Sequence, residues 1–334
     1  MDKKNAAITG VGIYVPDQVL ANEELAKRTE TNPEWIWTRT GIRERRIADP
    51  EQAASDLGVI AAEQALRNAG ISAEDVDLII VATSTPDMLF PATACIIQAK
   101  LGLKSTPAFD LEAGCSGFIY ALNVGSHFIT SGQCRAVLVI GAEVLSRVLD
   151  WDDRETSVIM GDGAGAVVLQ PALPGYGILS CCLGADGSGG EYLKLPAGGS
   201  RMPITHQAIE QKMNVFRMNG PEVFRFAMRK VPEAIKQVLE ASQTSMEEVE
   251  LIVPHQANLR ILEAVARVLD ISMDKFVINM DKYGNTSSAS IPIALYEALE
   301  SGRIKHGDTI VLTGFGAGLT WGSIIMRWQE NFRS

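Results

Sequence analysis

The feature that most restricts this chain is a long internal repeat. Gln64-Ala-Leu-Arg-Asn-Ala-Gly-Ile-Ser-Ala-Glu-Asp-Val-Asp-Leu-Ile-Ile-Val81 lies over Gln237-Val-Leu-Glu-Ala-Ser-Gln-Thr-Ser-Met-Glu-Glu-Val-Glu-Leu-Ile-Val-Pro254 at an offset of 173 residues, with seven of eighteen positions identical. The same offset carries Arg135-Ala-Val-Leu-Val-Ile-Gly141 onto Asp308-Thr-Ile-Val-Leu-Thr-Gly314, an apolar strand ending in glycine in both places. Two distant segments sharing one offset point to a duplicated unit. The period is too long for a solenoid, and apolar strands alternating with helical stretches imply two similar βα-rich halves. The expected division is 1–174 and 175–334.

Each half contains the signals of a buried parallel sheet. Residues 6 to 15 read as a first strand, and Asn22 is expected to cap a helix with Glu23 and Glu24 in its first turn. Helices are expected from Ser55 to Asn68 and, after Phe90-Pro91, from Ala92 to Leu101. Val76-Asp-Leu-Ile-Ile-Val-Ala82, Pro107-Ala-Phe-Asp-Leu111 and Ala136-Val-Leu-Val-Ile-Gly141 read as buried strands. Gly161-Asp-Gly-Ala-Gly165 has the glycine density of a dinucleotide loop, but such glycines follow a strand and open a helix. Here they precede a strand, so the stretch reads as a tight turn.

Cys115, in Ala113-Gly-Cys-Ser-Gly117, sits where the strand over 107–111 gives way to a helix carrying Phe118, Ile119, Leu122 and Phe128. Free N–H groups at a helix start favour thiolate over thiol, so a lowered pKa is expected. A lone cysteine among small residues is also a common core residue, and partners elsewhere must decide. The offset places Ser288 opposite Cys115, inside Tyr283-Gly-Asn-Thr-Ser-Ser-Ala-Ser290, which brings Asn285 near the pseudo-twofold mate of the cysteine. His255 follows the strand Leu251-Ile-Val253 at its carboxyl end, where ligands of open parallel sheets gather. Gly314-Phe-Gly-Ala-Gly-Leu-Thr-Trp-Gly322 reads as a flexible loop whose N–H groups face a developing oxyanion. Glu34-Trp-Ile-Trp-Thr-Arg-Thr-Gly-Ile-Arg-Glu-Arg-Arg46 sets indoles beside four arginines, a surface suited to a planar base and phosphates or to a solvated loop.

Composition narrows the partners. A net charge of −10 argues against general nucleic-acid binding, and five cysteines without CxxC spacing supply neither a disulfide framework nor a metal site. No apolar run is long enough to cross a bilayer, and Met1-Asp-Lys-Lys-Asn5 leads into a strand without a signal-peptide core, so a cytoplasmic protein is expected.

With Cys115, His255 and Asn285 assembled, the chain closely resembles the β-ketoacyl-acyl carrier protein synthase III family. The likeness spans nearly the whole chain and rests on Glu34-Trp-Ile-Trp-Thr-Arg-Thr-Gly-Ile42, Ala113-Gly-Cys-Ser-Gly117, Gly161-Asp-Gly-Ala-Gly165, Pro254-His-Gln-Ala-Asn-Leu-Arg260, Tyr283-Gly-Asn-Thr-Ser287 and Phe315-Gly-Ala-Gly-Leu-Thr-Trp-Gly322. The resemblance implies a thiolase-like α/β fold, two halves in an αβαβα arrangement, and a homodimer. It also implies condensation of an acyl-CoA, acetyl-CoA first among them, with malonyl-acyl carrier protein, the CoA thioester being substrate and no cofactor or metal being needed. Carried over by residue, Cys115 is the nucleophile, and His255 and Asn285 serve the condensation. The N–H groups of Cys115 and Ala317 form the oxyanion hole. Trp35, Arg39, Arg154, Gly220 and Asn258 hold coenzyme A and its pantetheine arm, Phe90 and Phe315 border the acyl pocket, and Arg260, with Arg225, Arg229 and Arg267, receives the carrier protein. Where the family has three consecutive glycines after the phenylalanine, this chain has Ala317 in their midst. The readings set against this one are a condensing enzyme of the same fold with another primer (a polyketide-starter or long-chain ketoacyl synthase), a cysteine hydrolase, and a non-catalytic homologue that binds CoA without being acylated.

Overall fold

The structure, a computed structural model, describes residues 5–330. In chain order the first half contains β1 (Ala6–Tyr14), β2 (Gln18–Ala21), α1 (Asn22–Leu25), α2 (Pro33–Thr40), β3 (Glu44–Ile47), α3 (Ala54–Ala69), β4 (Leu78–Ala82), α4 (Thr93–Lys100), β5 (Ala108–Leu111), α5 (Gly117–Thr130), β6 (Val137–Glu143) and β7 (Gly163–Pro171). The second contains β8 (Gly177–Ala185), β9 (Leu193–Lys194), α6 (His206–Glu210), β10 (Arg217–Met218), α7 (Gly220–Ser242), β11 (Val249–Pro254), α8 (Leu259–Leu269), α9 (Met280–Tyr283), α10 (Ser290–Glu300), β12 (Thr309–Gly316) and β13 (Thr320–Arg327).

The duplication is visible in the topology. One sheet has the order β1-β7-β6-β4-β5 and the other β8-β13-β12-β11, with the place of a fifth strand taken by a single parallel bridge from Ile252 to Phe276. β4 runs parallel to β5 and β6, and β11 parallel to β12. The 173-residue offset relates the start of α5 at Gly117 to the start of α10 at Ser290. It also relates the single helical turn 114–116 to the turn 287–289.

Alternation along the strands sorts side chains into layers. On β4, Leu78, Ile80 and Ala82 face a central core while Ile79 and Val81 face an outer one; on β12, Ile310 and Leu312 face the same central core and Val311 the opposite outer one. α5 and α10 fill the central layer between the sheets, α3 and α4 cover the first sheet, and α7 covers the second, with α8 packed beside α7 in the same outer core. This is the expected αβαβα order. α5 is apolar on nearly all sides because it is covered from both directions.

Three local expectations change. Asn22 does not cap a helix: it is buried, its Nδ2 donates to the Ile42 carbonyl and its Oδ1 accepts from Arg45, and α1 is a single turn. β5 is not a buried strand but the edge of its sheet, with Phe109 partly exposed. The 314–322 stretch is a tight hairpin rather than a flexible loop, β12 and β13 being paired from Thr309–Arg327 through Gly316–Thr320.

Candidate active site

Cys115 lies in the single turn between β5 and α5. Two close approaches hold that turn against the β12–β13 hairpin. A Cβ on Gly114, which has φ 54°, would fall 2.7 Å from Ala317 N, and one on Gly316 would fall 2.4 Å from Cys115 N. Only glycine permits either contact. Burial pushes the Cys115 thiol up to about 12, with the Glu143 and Glu112 carboxylates adding to the rise and the Ser287 hydroxyl opposing it. The expected lowering is therefore not found. At this site, removal from water outweighs the N–H groups of the helix start.

His255 sits directly after β11, its N–H donating to the Thr313 carbonyl at 2.8 Å, which fixes the residue to the neighbouring strand. Nδ1 lies 2.7 Å from Ser290 Oγ, and the Phe315 ring stands edge-on at 5.5 Å between centroids. Burial lowers the imidazole pKa to about 3, so the ring is neutral at pH 7. Asn285 is pinned on both sides of its backbone: its N–H donates to the Ile159 carbonyl at 2.9 Å and its carbonyl accepts from Gly161 N–H at 3.0 Å. The glycine-rich turn at 161 has this purpose, because a Cβ on Gly161 would fall 2.2 Å from the Tyr283 carbonyl oxygen. The Ser287 N–H donates to Asn285 Oδ1 at 2.8 Å, which leaves Nδ2 as the free end of the amide and makes the side chain a donor.

A single cavity of about 290 Å³ unites most of the residues singled out in the sequence: Cys115, His255, Asn285 and Phe315 line it together with Trp35, Arg39, Arg154, Gly220 and Asn258. Arg39 and Arg154 are exposed and His255 and Asn285 are buried, so the cavity runs from the surface inward. Two guanidinium groups approach the Trp35 ring, Arg39 at 5.9 Å and Arg154 at 5.5 Å from its centroid. Of the other arginines nearby, Arg43 stacks on Trp37 at 3.8 Å and Arg45 is fully buried, bonded to the Leu20 and Val158 carbonyls. Asn258 caps α8 by accepting from Arg260 N–H and donates to the Arg39 carbonyl, so it joins the two ends of the outer wall.

Other expected residues lie elsewhere. Phe90 does not border this cavity. It is 83% exposed, with Met88 and Leu89, in the connection between β4 and α4. Arg260 and Arg267 are exposed on α8, Arg229 is exposed on α7, and Arg225 is exposed there but paired with Glu222 at 2.9 Å. The sequence reading missed the hydroxyls that hold the reacting groups, Ser287 and Ser290. Their signal was a run of serines where a helix begins in apolar surroundings. It also missed the apolar wall of Phe216, Met218, Val223 and Ile261, which no local pattern marks.

Comparison with known proteins bears on the same residues. A family model described as 3-oxoacyl-[acyl-carrier-protein] synthase III matches residues 109–187, and one for the C-terminal part of that family matches residues 239–328. The β-ketoacyl-[acyl-carrier-protein] synthase III of Caldanaerobacter subterraneus subsp. tengcongensis is 52% identical over 98% of this chain and 99% of the relative. That of Symbiobacterium thermophilum is 50% identical over 98% and 99%. The crystal structure of 3-oxoacyl-[acyl-carrier-protein] synthase III from Aquifex aeolicus matches at TM-score 0.89 and 47% identity, covering 97% of this chain and 100% of that one. Identity near one half over both full lengths leaves no segment of the fold unaccounted for, and the chain belongs to the 3-oxoacyl-[acyl-carrier-protein] synthase III family.

Proposed function

We propose that this protein is an acyltransferase condensing an acyl-CoA primer, acetyl-CoA first among them, with malonyl-acyl carrier protein to initiate fatty acid synthesis. The observation that carries this reading is the single cavity joining Cys115, His255 and Asn285 to the Trp35, Arg39 and Arg154 surface. The aromatic ring with guanidinium groups beside it suits the adenine and phosphates of coenzyme A, and the interior end holds a nucleophile and two polar groups.

In the first half-reaction the Cys115 sulfur attacks the thioester carbon, the bond to the CoA sulfur breaks, and the cysteine proton leaves with the CoA thiol. The N–H groups of Cys115 and Ala317 hold the oxyanion, each such donor contributing about 2.7 to 4 kcal/mol in comparable sites. In the second, the malonyl carboxylate leaves as CO2 and its electron pair forms an enolate. Asn285 Nδ2 and His255 donate to the enolate oxygen. Ser290 Oγ lies 2.8 Å from the Ser287 carbonyl and 2.7 Å from His255 Nδ1, and the imidazole donates from Nε2 when the single Ser290 proton turns from that carbonyl to Nδ1. The enolate carbon attacks the acyl-cysteine, the Cys115–acyl bond breaks, and one proton from solvent restores the thiol. Decarboxylation supplies the electron pair, so the balance calls for no oxidant, reductant or metal. Substrates of this kind fit a cytoplasmic enzyme.

The chain divides between β7 and β8, near 174/175, into a half bearing the nucleophile and a half bearing His255 and Asn285. Arg260, with Arg225, Arg229 and Arg267, is the basic surface for the acidic carrier. A homodimer is supported by the free edge of β5 with Phe109 and by the exposed Met88, Leu89 and Phe90, apolar surface that a second copy covers.

The test is intact-mass and peptide analysis after incubation with acetyl-CoA, on material whose mass in solution is measured by sedimentation. The expected result is one acetyl group on Cys115, none in Cys115→Ser, CO2 release from malonyl-acyl carrier protein that His255→Ala and Asn285→Ala abolish, and particles of two chains. Acetylation of Cys95, Cys134, Cys181 or Cys182, or free acetate formed without malonyl consumption, would overturn the assignment; particles of one chain would remove the dimer.

A further inference from the structure

The two N–H groups read above as the oxyanion hole come from segments about two hundred residues apart, so nothing in the local chain sets their separation. Repulsion sets its lower limit. Gly114 against Ala317 and Gly316 against Cys115 have already closed to distances at which no Cβ fits. An upper limit needs an attraction, and the hairpin turn supplies one side chain for it.

Thr320, the first residue of β13, sits opposite Gly316 in the ladder. Its Oγ1 lies 2.7 Å from the Ala317 carbonyl, 2.8 Å from the Ala113 carbonyl and 2.8 Å from Ser116 Oγ. Ser116, fully buried, is itself 2.9 Å from the Ala113 carbonyl. Two hydroxyl protons thus face two carbonyls, and the pair satisfies both when Ser116 donates to Ala113 and Thr320 to Ala317; with Ser116 turned onto Thr320, the threonine proton bonds one carbonyl or the other. In either arrangement one threonine hydroxyl touches both the cysteine turn and the hairpin turn, on residues within two positions of the two N–H donors.

We propose that Thr320 is a positioning residue for the oxyanion hole, its hydroxyl fixing the Cys115 and Ala317 N–H groups relative to one another. The inference rests on the oxyanion-hole reading given above. It separates the half-reactions, because the tetrahedral intermediates at the acyl carbon depend on these N–H groups while the malonyl enolate depends on His255 and Asn285.

Thr320→Val keeps the side-chain shape and the β-branching suited to a strand while deleting the hydroxyl. The rate of Cys115 acetylation at saturating acetyl-CoA is expected to fall about 10- to 100-fold, the range set by misplacing or losing one donor. CoA affinity and the decarboxylation of malonyl thioester by acyl-free enzyme are expected to stay within about twofold, and Thr320→Ser is expected to restore acetylation. Unchanged acetylation in Thr320→Val, or an equal loss of acetylation and decarboxylation, would overturn the proposal. If Thr320→Val does not fold, Ser116→Ala is measured in its place, with selective loss of acetylation supporting the proposal and no loss overturning it. Wild type measured alongside keeps the two readings apart. If wild type fails to acetylate Cys115, function and positioning fall together; if it acetylates no faster than Thr320→Val, only the positioning role falls.

Discussion

Cys115 and His255 are opposite in titration and alike in cause: the half-buried thiol and the buried imidazole are both held away from bulk water, which favours the neutral form of each. The thiol is raised from 9.0 to about 12 and the imidazole lowered from 6.5 to about 3, so the resting pair at pH 7 is thiol and neutral imidazole rather than an ion pair. Alkylation of Cys115 by iodoacetamide in the free enzyme is therefore expected to keep accelerating as pH rises past 9; a plateau near pH 7 would mean a stored thiolate. The stability consequences have definite signs. For the cysteine, folded above unfolded, the contribution is full below the unfolded value of 9.0 and is lost as pH rises toward 12. For the histidine, folded below unfolded, the unfolded chain takes the proton first, so stability is lost as pH falls from 6.5 toward 3. Urea unfolding between pH 7 and 4 should have a shallower acid limb in His255→Gln than in wild type, and identical limbs would assign the acid loss to other groups.

Among the elements, the β12–β13 hairpin carries Ala317 where the family resemblance implies a glycine, and the structure shows why an alanine fits there. Gly318 has φ 136° and Gly316 has no room for a Cβ beside Cys115, whereas Ala317 has no positive φ. Only the outer two positions require glycine. Gly316→Ala is expected to lower Cys115 acetylation by about 100-fold or more, since the atoms in the way belong to the nucleophile's own backbone and geometry at the reacting centre is displaced. Ala317→Gly should keep acetylation but lower unfolding free energy by about 0.5 to 1 kcal/mol through the freer unfolded chain. Acetylation rates and urea midpoints of the two variants check both statements; an active Gly316→Ala would mean that the turns do not interlock as described. The elements also divide by how far sequence reveals them. Strongly apolar β4 and β6 were legible from the run of residues, while β5 was misjudged because burial by neighbours and exposure at an edge leave similar four-residue patterns.

For the whole molecule, a net charge of −10 makes an acidic carrier protein a repelled partner at long range, so local basic groups must reverse the field near the cavity. Arg260 opens α8 beside the cavity-lining Asn258 and Ile261 and is exposed; Arg225 is already paired with Glu222, which makes it the weaker candidate. Arg260→Glu is expected to raise KM for malonyl-acyl carrier protein several-fold, of the order seen for exposed charges worth about 1 kcal/mol, while acetylation by acetyl-CoA stays near wild type. The KM should also respond less to added salt. Steady-state kinetics at two ionic strengths decide: equal loss with both substrates would indicate damage to the cavity, and no loss with either would remove Arg260 from the docking surface.

What the sequence determined by itself was the repeat and what the repeat entails. A fixed offset of 173 residues, apolar strand cores, and glycines where backbone must turn or approach backbone are local properties, and they were enough to place Cys115 opposite Ser288 and Asn285 near both. Tertiary structure decided what depends on the neighbours of a group. The cysteine turn is polar-ended in sequence yet its thiol is raised, because the second half of the chain buries it. Phe90, which the family resemblance assigns to the acyl pocket, stands 83% exposed and outside the lining of the cavity within one chain. Ser290 orients His255, and Thr320 joins two turns that are distant in sequence. Periodicity encodes which face of an element is apolar; it contains nothing about which distant carbonyl a hydroxyl will meet.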